Sequence, residues 1–149
     1  MPHLQLDTAW TYPTEVKREL ARRYGEVYAE IMQTSPDIVD VTVRELEGGV
    51  WRCGNEPRPA ALLSCDIRRG RPAEQRARLG AALFKVTEQV LGVDPLLLRV
   101  EFTQHAGDEI YGAIEIDGVV HTGFSPDWTP DEATTPLVDQ LRAKQTASP

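Results

Sequence analysis

The feature that most constrains this chain is an internal repeat, in which the same order of residues returns 59 positions later. Pro13 maps onto Pro72, Glu15 onto Glu74, Pro36 onto Pro95, Val41 onto Val100 and Gly48 onto Gly107. In the first copy, residues 3–9 read as a strand with Leu4 and Leu6 on one face, and Pro13 opens a helix whose apolar stripe is Leu20, Tyr24, Val27 and Ile31. The β-branched run Ile38-Val39-Asp40-Val41-Thr42-Val43 closes that copy as a second strand. The second copy repeats the pattern with the strand Ala61-Leu62-Leu63-Ser64-Cys65-Asp66-Ile67, the helical stripe Leu79, Leu83, Val86 and Val90, and the strand Leu97–Phe102.

Each copy is thus a βαβ unit, with two parallel strands joined by a right-handed crossover. Repeat one covers about residues 2–57 and repeat two about 61–112, with no linker long enough to separate them. The expected fold is α/β (α+β): a tandem βαβ repeat forming a four-stranded sheet with two helices on one face. At 149 residues, the whole of 1–149 reads as one domain. Residues 113–149 then supply a C-terminal hairpin, turning at Asp117-Gly118, and a tail in which Thr135 and Pro136 start a short helix over Leu137, Val138 and Leu141. The last residues, Thr146–Pro149, read as frayed. Leu62, Ile67, Val41, Val43, Val100 and Phe102 are read as too many apolar side chains for the helix-covered face alone, so the second face is expected to be buried by partner chains. Trp128, in an otherwise polar tail, is expected to anchor on a neighbouring chain.

A net charge of −7 argues against a nucleic-acid partner, because phosphate binding needs a concentrated positive surface. No apolar run approaches the roughly 18 residues of a membrane span, and the N-terminus lacks a signal-peptide pattern, so no membrane association and a cytoplasmic location are expected. Cys53 and Cys65 lack Cys-x-x-Cys spacing and read as reduced thiols, while His3, His105 and His121 lack metal-ligand spacing; neither a metal nor a cofactor is expected.

Two features carry chemistry. If Met1 is removed, Pro2 becomes a secondary amine that titrates at roughly pH 7.7–8.0 before its environment acts on it, and so can serve as base or acid. The turn Ile67-Arg68-Arg69-Gly70-Arg71-Pro72 concentrates three guanidiniums, each a planar fork of donors suited to a small carboxylate substrate. The first repeat has Tyr12 in the place of Arg71, and Pro2 itself maps onto Ala61. Only the chain terminus has a free amine, which leaves one active site per chain.

A penultimate proline opening a tandem βαβ repeat resembles the tautomerase superfamily, in particular 4-oxalocrotonate tautomerase, malonate semialdehyde decarboxylase and the cis-3-chloroacrylic acid dehalogenase, over about residues 2–112. The resemblance implies a cofactor-independent tautomerase or isomerase, or a related hydratase, decarboxylase or dehalogenase, acting on a small 2-oxo or 3-oxo acid or its enol. It implies Pro2 as the catalytic acid or base and a homotrimer as the assembly. Arg68 with Arg71 matches the arginine spacing of the dehalogenase, and Arg69 with Arg71 that of the decarboxylase. Asp37 resembles the decarboxylase's catalytic aspartate, although Ser-Pro-Asp is also an ordinary turn. Glu109 lies one residue from the place of the dehalogenase's water-activating glutamate. Trp51 and Tyr111 fall near the family's aromatic wall, shifted by one residue. Against the dehalogenase, its tyrosine position is Glu101 here and its helix histidine falls near Val27 or Tyr28. A non-catalytic binding member of the same fold is the competing class.

Overall fold

The computed structural model describes residues 2–125 and 127–129. The first repeat contains β1 (His3–Thr8), α1 (Thr14–Met32) and β2 (Asp40–Glu45), followed by the short strands β3 (Trp51–Arg52) and β4 (Arg58–Pro59). The second contains β5 (Ala61–Arg68), α2 (Ala73–Leu91) and β6 (Leu98–His105), followed by the hairpin of β7 (Tyr111–Ile116) and β8 (Val119–Phe124). The main sheet has the order β2-β1-β5-β6. Each repeat forms its own parallel pair, and β1 joins the two halves by running antiparallel to β5.

The duplication reaches individual contacts. Lys17 Nζ meets Glu45 Oε1 at 2.6 Å, and at the equivalent positions Arg76 Nη1 donates to Gln104 Oε1 at 3.3 Å. The Ser35 hydroxyl accepts from the Asp37 N–H as the Asp94 carboxylate accepts from that of Leu96, opening a 3-10 turn before the second strand of each copy. Pro13 and Pro72 sit one residue before their helices, where a missing N–H forfeits no intrahelical bond. Both helices end on a left-handed residue, Gln33 (φ 56) and Gly92 (φ 69). Glycine adopts this conformation without strain, whereas Gln33 depends on the bonds around it.

Leu4, Leu6 and Thr8 of β1 and Ala61, Leu63, Cys65 and Ile67 of β5 all point under the helices, against Leu20, Tyr24, Leu79 and Leu83. The Tyr24 hydroxyl shares a 2.5 Å hydrogen bond with Thr87 Oγ1, joining α1 to α2 inside this core.

The register corrects the expectation of an apolar second face. Val41 and Val43 lie opposite Leu4 and Leu6, and Val100 and Phe102 opposite Leu63 and Cys65. Their side chains therefore share the helix-covered face with Ile67, and of the six residues named only Leu62 points away. The physical reason is phase: the four strands alternate in step, so all present their apolar positions to the same side. The opposite face carries His3, Gln5, Asp7, Thr42, Arg44, Ser64, Asp66, Arg99 and Glu101. On it Arg44 grips Asp7 with two hydrogen bonds of 2.6 and 3.2 Å, and Thr103 donates to Asp66.

The hairpin turns at Asp117-Gly118, with φ of 51 and 77, the backbone expected of a two-residue turn between right-twisted strands. It forms a sheet of its own. Met1 and the tail helix expected near Thr135 and Pro136 lie outside the described residues, as does the frayed end.

Candidate active site

The antiparallel β1–β5 pairing sets His3 opposite Asp66. Continuing that register by one step places Pro2 opposite Ile67, immediately before the arginine turn. Pro2 is buried, and its carbonyl accepts from the Asp40 N–H at 3.0 Å, which ties the N-terminal segment to the start of β2. Because β2 begins and β6 ends at this same edge, Asp37, His105 and Glu109 gather there too. One end of the sheet thus collects Pro2, the three arginines and two of the candidate carboxylates.

The three arginines go in different directions. Arg68 ends β5 on the face away from the helices, opposite His105. Arg69 donates from Nε to Asp127 Oδ2 at 2.7 Å. Arg71 is turned inward, only 4 % exposed, and donates from Nη2 to the carbonyl of Met32 at 3.0 Å. Beside it, Gln75 donates to the carbonyl of Ile31 at 2.9 Å. A helix end carries partial negative charge and unsatisfied carbonyls, and α1 has no basic residue in its own last turn. Arg71 and Gln75 supply that cap from the second repeat.

Charge also reaches the buried phenol of Tyr28. Burial pushes its pKa up to about 12, and the positive charges of Arg71 and Arg68 oppose that rise. Tyr28 thus faces the arginine turn from α1. The sequence had placed it on the helix only as the nearest match to a histidine of the dehalogenase.

Asp37 is exposed within the 3-10 turn at the mouth of β2, its N–H bound by Ser35. Glu109 is also exposed, and its Oε2 lies 3.9 Å from His105 Nδ1, while His105 Nε2 lies 3.9 Å from Asp66 Oδ1. Tyr111 is part of the hairpin: its hydroxyl donates to Thr122 and its ring meets Phe124 edge-on at 4.9 Å.

Two placements differ from expectation. Trp51 pairs with Pro59 next to the β5 start, so within one chain it lies at the opposite end of the sheet from Pro2. The reason is the antiparallel join of the repeats, which sends their hairpins to opposite ends. Trp128 is not directed to a neighbour. It is 8 % exposed on its own chain, donates its N–H to the Arg69 carbonyl at 3.0 Å, and stacks its ring 5.5 Å from the Arg71 guanidinium. An apolar body that can take a cation on its face has its partner 57 residues earlier in the same chain, between Arg71 and Trp128.

Comparison with known structures follows from this geometry. The chain superposes with a TM-score of 0.68 on a symmetric trimer of a fused wild-type 4-OT at 19% identity, covering 78% of this chain and 95% of that one. It also matches Pt0534 inactivated by 2-oxo-3-pentynoate, with a TM-score of 0.65 at 23% identity over 72% of this chain and 89% of that one. The fold is the tautomerase-like fold of these structures. A macrophage migration inhibitory factor-like protein from Entamoeba histolytica shares this tautomerase fold, with a TM-score of 0.61 and 19% identity over 72% of this chain and 90% of that one. No protein-family model matches the sequence, and no curated protein matches it. Among the described residues, no group of His, Cys, Asp and Glu could hold a metal ion, and no helix is long and apolar enough to cross a membrane.

Proposed function

We propose that this chain is a cofactor-independent tautomerase-type enzyme in which Pro2, with Met1 removed, moves a proton on a small 2-oxo or 3-oxo acid or its enol. The observation that carries this reading is the β1–β5 register, which puts Pro2 beside the arginine turn in a tautomerase fold. A neutral Pro2 nitrogen takes the proton from the enol hydroxyl or α-carbon and returns it to the other atom. General acid–base transfer of this kind contributes about 10²–10⁴-fold. Neighbouring guanidiniums disfavour the charged amine and so favour the base form near neutral pH. In this reading Arg68 and Arg69, at the end of β5, hold the substrate carboxylate. Arg71, committed to the end of α1, adds its charge from behind.

Hydration or decarboxylation is the second reading, favoured by Asp37 and Glu109 standing at the same end of the sheet as Pro2. It needs a cationic Pro2, so its rate falls as pH rises, whereas tautomerisation rises with the neutral amine. We further propose a homotrimer, supported by the trimeric fused 4-OT of the same fold.

The reading is tested with 2-oxo-3-pentynoate, which inactivates the structurally similar Pt0534. Intact mass should show a protein lacking one methionine and carrying a single adduct, which peptide mapping should locate on Pro2. Retention of methionine, or an adduct elsewhere, overturns it.

A further inference from the structure

The arginine turn is already occupied by a carboxylate from its own chain. Asp127 accepts from Arg69 Nε through Oδ2 at 2.7 Å, and from the backbone N–H of Gly107 through Oδ1 at 2.8 Å. Both of its oxygens are thus bound by donors of different origin, a guanidinium just after β5 and a main-chain amide just after β6. The next residue closes the segment down. The Trp128 N–H is donated to the Arg69 carbonyl, and the Trp128 ring lies over Arg71. At Gly70, with φ +120, a Cβ would lie 2.1 Å from the Trp128 carbonyl oxygen, so the segment rests directly on the turn's backbone. Upstream, the Ser125 N–H donates to the Ile110 carbonyl at 3.2 Å, which fixes the approach of the strap.

We propose that Asp127 is a built-in competitor for the carboxylate site formed by Arg69 and the Gly107 N–H, and that Ser125, Asp127 and Trp128 act as a strap which an incoming small carboxylate must displace. The proposal rests on the reading that the arginine turn binds the substrate carboxylate. Chemically, the strap holds a monocarboxylate with the same two kinds of donor that a 2-oxo acid would use, at an effective concentration set by the chain itself. A ligand then binds with an affinity reduced by the fraction of molecules whose strap is open. It also selects among ligands: a weak monodentate anion does not displace Asp127, whereas a dicarboxylate or 2-oxo acid adds contacts that the strap lacks.

The test compares the wild-type protein with Asp127→Asn, which keeps the side chain's shape and removes its charge. Malonate serves as an inert dicarboxylate probe in calorimetric titration. About tenfold tighter malonate binding by D127N is expected, with a malonate-dependent change in tryptophan fluorescence in the wild type that Trp128→Phe abolishes. Equal or weaker malonate binding by D127N overturns the strap. Turnover of phenylenolpyruvate separates this outcome from the fate of the enzyme reading. Turnover with an unchanged KM in D127N leaves the enzyme and removes the strap. Tighter malonate binding without turnover in either protein keeps the strap and removes the enzyme.

Discussion

Arg71, the last residue before the Pro72 that opens α2, donates to the carbonyl of Met32, the last residue of α1. One repeat thereby closes the helix of the other, across an antiparallel helix pair. This relationship explains how α1 tolerates a left-handed glutamine at its end, since the Arg71 charge and the Gln75 amide satisfy the carbonyls that the turn leaves exposed.

Arg71→Ala should therefore destabilise the fold as well as impair any substrate binding. A hydrogen bond to a charged group contributes about 1.5–3 kcal/mol. An unfolding free energy lowered by an amount in that range, read from denaturant unfolding, is expected, and Arg71→Lys should recover only part of it, because an ammonium lacks the planar fork. Unchanged stability in R71A would mean that the guanidinium is not holding the α1 end.

Pro2→Ala should lower turnover of phenylenolpyruvate about 10²-fold or more while leaving the fold intact, since general acid–base transfer has that magnitude. A primary amine remains, but without the ring that fixes its direction. Normal turnover in this variant would exclude Pro2 as the proton carrier.

Much of the fold was legible because its signals are periodic. The helical stripes at Leu20 and Leu79 and the alternation of Leu4 and Leu6 report which side is buried, and the offset from Pro13 to Pro72 reports the duplication. The grouping of apolar residues on one sheet face was not legible, because it depends on the phase between strands, which only the register of Val41 on Leu4 supplies. At the site, the arginine turn is read directly from Arg68-Arg69-Gly70-Arg71, whereas its closeness to Pro2 was implied by the resemblance alone, because the repeat leaves the direction of β1 against β5 open. Asp127 and Trp128 do not, since nothing local to Ser-Pro-Asp-Trp indicates a partner 58 residues away, between Arg69 and Asp127. Nor could the sequence tell that Arg71 turns inward, because its acceptor is a backbone carbonyl.

The buried acids give a pH prediction. Burial pushes the Cys65 thiol from its ordinary 9.0 up to about 12 and the Tyr28 phenol from 10.0 up to about 12. Each is raised on folding, so its contribution is fully present below its unfolded pKa and is lost as pH rises toward the folded value. Stability should be flat to about pH 9 and then fall toward pH 12, by up to about 1.4 kcal/mol per pH unit for each ionising group. Cys65→Ala should make that fall shallower. In the native protein at pH 8, Ellman's reagent should find the exposed Cys53 and spare the buried Cys65 until denaturant is added.

The last prediction concerns assembly, for which the support lies in the hairpin, since the open sheet face is polar. A two-stranded sheet is marginal in water by itself. This one exposes Tyr111 (61%), Val120 (65%) and Phe124 (40%) on one face and Val119 (55%) on the other, apolar side chains that a solitary chain would leave in water. Placing these side chains against another copy would remove that surface from solvent and support the hairpin at once. The polar face, with Arg44 and Asp7 already paired, asks for no such cover. Light scattering coupled to size exclusion should give the mass of a trimer for the wild type, and the double substitution Val120→Asp with Phe124→Asp should lower it, because two carboxylates on the one apolar face oppose their own desolvation and each other. Circular dichroism checks that α1 and α2 persist in the variant. A variant that remains trimeric would move the interface away from the hairpin, and a wild-type protein of monomeric mass would remove the trimer altogether.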